Sequence, residues 1–308
     1  MQNEVVSLDN ADYSLIASMM GIETSGKTVA PMDTLTRLRI WNRPVMGSIE
    51  KSGKVRQMEV VPGGTYRFDY GEGKFHYCES IQLRPFLQRF RYSRWVPYPT
   101  PDKEGRKGKY VKSIFVTDYK KFNNTDLMDE SGGFNCGRQS GYISNWKELP
   151  ESTKKLITSV KRVRSIFGTV TLEGAMDSSG EIVSEEGTTV PVIWEIENNT
   201  AFKIMGQALS KYGDSNRLFP QHLIDLYTEG SPMTNGNMLY QPAFNIDFTK
   251  SIALKPEDND YLSKFQSWVD NYNKYIKDSY DKNSGSKNNI DDEDKNIIDS
   301  FITVEEAV

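Results

Sequence analysis

The chain has 308 residues, 37% apolar and 26% charged, with a mean hydropathy of −0.59, enough to bury one large core or two small ones. No apolar run nears the roughly 20 residues a membrane span needs, and two cysteines, Cys78 and Cys136, are too few for a disulfide framework. The formal charge of −4 conceals an asymmetry: residues 281–308 carry a net −5, residues 1–280 a net +1, and residues 81–121 hold eleven Lys/Arg against three Asp/Glu.

Residues 1–33 read as a polar N-terminal arm, opening with acidic and amide residues where a secretory signal would be basic. Within it, MGIETSGKTVAP places Gly21, Gly26, Lys27 and Thr28 in the phosphate-loop pattern G-x-x-x-x-G-K-[ST]. A phosphate loop sits between a buried strand and a helix. SLIASMM is a poor hydrophobic strand, and Pro31 falls within the first turns of the helix that should follow. A flexible connector is the better reading, with a P-loop NTPase as the alternative.

TLTRLRIW (34–41) alternates as a strand, with Leu38 and Ile40 on one face and Arg37, Arg39 and Trp41 on the other. VRQMEVVPGGTYRFDYGEGKFHYC (55–78) reads as strands broken by Pro-Gly-Gly and Gly-Glu-Gly turns. LRPFLQRFRYSRW (83–95) interleaves Arg84, Arg89, Arg91 and Arg94 with Phe86, Phe90, Tyr92 and Trp95. A loop bearing Lys103, Arg106, Lys107 and Lys109 leads to the strand YVKSIFVTDY (110–119), and then to the glycine-dense GGFNCGRQSGYI (132–143).

A helix entry at Pro150–Lys155 precedes the strand VKRVRSIFGTVTL (160–172), where Arg162 and Arg164, next to Lys161, share a face opposite Val163 and Phe167. TVPVIWEIE (189–197) is its expected pairing partner. TAFKIMGQALSKYG and LFPQHLIDLYTEG, each closed by glycine, are expected helices. QPAFNIDFTKSIAL (241–254) is an expected strand. EDNDYLSKFQSWVDNYNKYIKDSY spaces Leu262, Phe265, Val269, Tyr272 and Ile276 as an amphipathic helix. Strands first and helices late predict an α+β fold: an antiparallel OB-like β-barrel or curved sheet over residues 34–280, with accessory helices toward the C-terminus and a disordered acidic tail over 281–308.

A basic body with an acidic tail is the charge pattern of a nucleic-acid binder. Single strands are held where cationic side chains follow phosphates and aromatic rings stack on bases. The expected surface is Arg37, Arg39, Trp41, Arg84, Phe86, Arg89, Phe90, Arg91, Tyr92, Arg94, Trp95, Lys161, Arg162 and Arg164, lining one groove. Neither histidine sits in a nucleophile context, so no enzyme is expected. His76, Cys78, Cys136 and His222 lack the paired C-x-x-C spacing of a zinc site, so a buried thiol and packed histidines are expected, without a cofactor. In the tail, Asp291, Asp292, Glu293 and Asp294 with Phe301 suit docking on basic partners or competition with nucleic acid.

LRPFLQRFRYSRW, GGFNCGRQSGYI and VKRVRSIFGTV resemble segments of a family of proteins from marine tailed bacteriophages. The plan of basic aromatic strands with an acidic tail is similar to phage replication single-stranded-DNA-binding proteins with an OB-fold. The resemblance implies non-enzymatic coating of unwound DNA in the cytoplasm of the infected host, in replication or recombination. It implies a monomer or homodimer, away from membranes, whose tail recruits polymerase or helicase-primase. This tail ends EEAV, where several such proteins finish on an aromatic residue. A virion structural protein is the remaining alternative.

Overall fold

The computed structural model describes residues 35–51, 54–98, 100–101, 105–118, 146–234 and 236–284. The arm with its phosphate-loop pattern, Lys103, the GGFNCGRQSGYI segment with Cys136, and tail residues Asp291, Asp292, Glu293, Asp294 and Phe301 lie outside the described residues.

The elements run β1 (Thr36–Trp41), β2 (Val45–Lys51), β3 (Lys54–Val61), β4 (Thr65–Asp69), β5 (Phe75–Cys78), β6 (Ile81–Pro97), β7 (Gly108–Lys112), α1 (Glu151–Ser159), β8 (Val160–Thr171), β9 (Thr189–Ile196), α2 (Asn199–Asp214), β10 (Ile224–Pro232), β11 (Met238–Asn245) and α3 (Pro256–Ser284). Among the described residues nine strands make one sheet in the order β11-β10-β6-β8-β9-β1-β4-β5, with β7 on β6, while β2 and β3 form a separate ribbon. The α+β plan is what forms, and of the two sheet expectations it is the curved, predominantly antiparallel sheet rather than a closed barrel; β1 and β9 pair in parallel, through Thr36–Leu38 and Val192–Trp194.

β6 is long because its ladder tolerates its proline. Pro85 has no N–H to donate, and the register shifts between Pro85 and Leu87, where a bulge absorbs the missing bond. Gly168 lies across from Pro85, and a Cβ there would come within 2.5 Å of the Arg84 carbonyl oxygen, so glycine permits the close approach.

Each face of the sheet carries a helix. α2 is capped by Asn198, whose side-chain oxygen accepts the N–H groups of Thr200 and Ala201. It buries Phe202, Met205, Leu209 and Tyr212 against Ile166, Val192 and Trp194. α3 buries Phe265, Val269, Tyr272 and Ile276 against Phe86, Phe167 and Ile193 on the opposite face. Burying Phe265, Val269 and Ile276 contributes roughly 1.5–3 kcal/mol each relative to exposure.

The sheet curls until β10 and β11 reach β4, the β3–β4 turn and the end of β1. The Tyr66 hydroxyl donates to the Tyr227 carbonyl (3.1 Å), Thr228 Oγ1 donates to the Gly64 carbonyl (2.6 Å), and the Tyr240 N–H donates to Asn42 Oδ1 (2.8 Å). Gly64 makes the last approach possible: its φ is +88°, and a Cβ would strike the Tyr240 ring.

Several sequence expectations change: the strand expected over 110–119 ends at Lys112, and the one expected over 241–254 ends at Asn245. LFPQHLIDLYTEG is a 3-10 turn at Phe219–Gln221 followed by β10, because Ile224 and Leu226 bury with period two on the sheet. α3 continues past Asp281 to Ser284, so the helix enters the segment read as tail. Leu262 is exposed rather than part of the buried stripe.

Candidate nucleic-acid interface

Much of the expected surface is interior. Phe86, Phe90 and Tyr92 are buried, Phe86 against Tyr261 and Phe265, and Phe90 against Phe202. Their rings have no face left for a base. Arg84 is held by Asp258 and by the Pro220 carbonyl, and Arg89 donates to Gln266 Oε1 (2.5 Å). Burial lowers the Arg89 pKa from its usual value, against the pull of Asp270. Arg91 is 3% exposed and pairs with Glu195 and the Tyr272 hydroxyl. Arg164 is buried between Phe90 and Phe202 and donates to Gln88 and the Phe202 carbonyl. The chain spends these guanidiniums on holding α2 and α3 to the sheet.

Register also separates the two basic strand faces. Arg37 pairs with Ile193, and Ile193 with Phe167, which places Arg37 and Arg39 on the α3 side. Arg164 pairs with Ile196 of the α2 core, and Arg162 lies over the Phe202 ring, so both belong to the other side. One groove therefore does not take both sets. Arg94 is half-buried and alternates out of the face that holds Ser93 and Trp95. Trp41 is half-buried with the Arg67 guanidinium stacked 3.9 Å over its ring.

What does converge lies on the α3 side, beyond the stretch that α3 covers. Arg37 and Arg39 are exposed and, with Tyr110 and Lys112 of this side, line a cleft of about 510 Å³ that Asn42 and Tyr240 complete from the curled end of the sheet. Trp95 (42% exposed) meets Tyr110 (45% exposed) edge to face, with ring centroids 4.9 Å apart. Ser93 pairs with both Lys112 and Lys161, so the exposed Lys161 is on this face too. The result is a run of cations, exposed at Arg37, Arg39 and Lys161 and half-buried at Lys112, leading to two exposed rings.

No significant match to known proteins was found, among family models, curated proteins or solved structures. The chemistry must come from the cleft itself. Its carboxylates are Glu195 and Glu197, and Glu195 is occupied by Arg91 and by Lys112, 3.8 Å away. Burial lowers the Lys112 pKa, with the positive charges of Arg91 and Arg37 adding to the effect and Glu195 and Glu197 opposing it.

Tyr110, Lys112, Asn42 and Tyr240 were not legible as site residues. YVK offered a weak signal, an aromatic and a cation two residues apart on one strand face, the same alternation that marked Arg37 and Arg39. Tyr240 and Asn42 reach the cleft only because the sheet curls.

Of the metal candidates, His76, Cys78 and His222 are among the described residues. His76 Nδ1 hydrogen-bonds the Tyr70 hydroxyl (3.1 Å), and burial lowers its pKa. Burial pushes the Cys78 thiol up to about 12. His222 is fully buried beside Phe248, its Nδ1 bonded to the Lys250 carbonyl (2.8 Å). Among the described residues no His/Cys/Asp/Glu group is arranged to hold a metal.

Proposed function

We propose that this chain binds single-stranded DNA without marked sequence preference, as a non-enzymatic protein of phage replication or recombination. The strand would follow Lys161, Lys112, Arg37 and Arg39, with bases on Trp95 and Tyr110. The observation that carries this reading is that exposed Arg37, Arg39 and Lys161, with half-buried Lys112 among them, share a face with the exposed rings of Trp95 and Tyr110. Cations supply sequence-independent attachment to phosphates, and each stacked base adds roughly 1–3 kcal/mol. A nine-stranded sheet exceeds the five-stranded OB plan; the feature this reading shares with it is a curled basic and aromatic face. The acidic tail is proposed to dock replication partners, or to compete with DNA for the same cations.

The test is fluorescence titration of the full chain with oligo-dT across a salt series. Quenching of tryptophan emission at low salt, with affinity falling steeply as salt rises, is expected. Absence of binding at low salt overturns the reading.

A further inference from the structure

Cations outnumber carboxylates around the cleft. Glu195 meets the guanidinium of Arg91, a residue 3% exposed, and Lys112 Nζ lies 3.8 Å from Glu195 Oε2. The Arg37 guanidinium is near enough to lower the Lys112 pKa by repulsion, after the larger effects of burial and Arg91. Arg39 lines the same opening, and neither it nor Arg37 pairs with a carboxylate among the described residues. Glu197 is the other acid of the lining. Arg37, Arg39, Lys112 and Arg91 thus face two carboxylates, and like charges gathered this way repel unless an anion joins them.

The uncharged polar lining adds donors. Asn42 Oδ1 already accepts from the Tyr240 N–H, and Asn198 Oδ1 from the N–H groups of Thr200 and Ala201, which leaves both NH2 groups to donate. The first turn of α2, on the Asn198 side, carries no acid. Charge and room then select the class of anion. A phosphate in mid-strand carries one negative charge and would offset half of the imbalance, whereas a phosphomonoester carries about 1.5–2 at pH 7. The volume, about 510 Å³, is in the roughly 300–1,000 Å³ range that holds one small ligand, and Lys112 is half-buried in the wall. A terminal phosphate can enter to meet it; a mid-strand phosphate would bring a nucleotide on either side.

Resting on the single-strand reading above, we infer that this cleft holds one phosphomonoester, the terminal phosphate of the bound strand. Lys112 and Arg37 are its ligands, and Arg39 holds the next phosphate along. Contact with the rest of the strand stays sequence-tolerant, so the chain distinguishes strands by how they end rather than by which bases they carry.

Fluorescence anisotropy of the full chain at fixed salt tests this with dT12 bearing hydroxyl ends, a 5′-phosphate, a 3′-phosphate, or either phosphate as its methyl ester, which adds a phosphate but only one charge. At least one phosphorylated strand is expected to bind roughly tenfold more tightly than the hydroxyl form, and its methyl ester less than about threefold. The gain should fall below about twofold in Lys112→Gln and in Arg37→Gln, the latter an exposed position where the fold tolerates change. Equal affinity for hydroxyl and phosphorylated strands, or an equal gain from the methyl ester, overturns the site while leaving single-strand binding intact. A gain that survives both substitutions overturns the assignment to these residues. Calorimetric titration with dTMP separates the two sources of a phosphomonoester: dTMP binding that Lys112→Gln abolishes, with no gain for either phosphorylated strand, assigns the cleft to free nucleotides and overturns the strand end. Failure to bind dT12 at low salt is instead the failure of the underlying reading.

Discussion

Arg84 and Asp258 form a bidentate ion pair, with Nη1–Oδ1 at 2.6 Å and Nη2–Oδ2 at 2.8 Å, clamping β6 to the first turn of α3. Asp258 also accepts the Lys255 N–H (2.8 Å), reaching back to the helix start as an N3 capping residue does. Pro256 follows at the position where a missing N–H costs least. An arginine that reads as a phosphate ligand in sequence is therefore the anchor of a helix.

Arg84→Met is expected to destabilise the fold by about 3–5 kcal/mol, because it leaves a buried carboxylate uncompensated. Urea unfolding measures the loss. Oligonucleotide affinity of the folded variant should stay within about twofold, and a large affinity loss at unchanged stability would return Arg84 to the interface.

The same pair gives a pH dependence of known sign. Burial pushes the Asp258 pKa up, but the hydrogen bonds from Arg84 and the Lys255 N–H, with the charges of those two residues, outweigh it and leave the pKa below the usual carboxylate value. A folded pKa below the unfolded one means the contribution is present above about pH 3.9 and is lost as pH falls through the lower folded value. Acid titration of stability should show this component in the wild type and lack it in Asp258→Asn.

Arg37→Gln with Arg39→Gln should weaken oligo-dT binding and reduce the slope of log K against log salt by about 1.4, at roughly 0.7 per single-strand phosphate contact. Both side chains are exposed, so the melting temperature should barely move. Unchanged salt dependence would remove them from the interface.

Rings in different environments should separate cleanly. Trp95→Leu is expected to cost roughly 1–3 kcal/mol of binding with little effect on stability. Phe90→Ala should do the reverse, costing roughly 3–5 kcal/mol of stability, since Phe90 is buried against Phe202. Comparing each variant by urea unfolding and by oligo-dT titration decides between the assignments.

Gly64→Ala probes the seam where the β3–β4 turn meets β10 and β11. The positive φ and the Tyr240 ring both oppose a Cβ, so a loss of about 1–3 kcal/mol is expected. Tyr240 lines the cleft, so the variant should also bind oligo-dT more weakly. Wild-type stability in Gly64→Ala would show that the seam does not constrain the sheet.

The sequence by itself determined which residues share a face. Period-two alternation in TLTRLRIW and VKRVRSIFGTVTL set Arg37 with Arg39 and Arg162 with Arg164, and three-and-four spacing marked Phe265, Val269, Tyr272 and Ile276 as the buried stripe of α3. Only the tertiary structure decided which faces stay open. Arg89 and Arg91 alternate like surface residues, yet α3, more than 160 positions later, brings Gln266 and Tyr272 to meet them. Arg37 and Arg39 carry the same local signal but lie on a stretch α3 does not reach. Alternation is a property of one strand's backbone, whereas exposure depends on a distant element packing there, and that depends on register and curl set by pairings such as Tyr240 with Asn42 that no local pattern encodes.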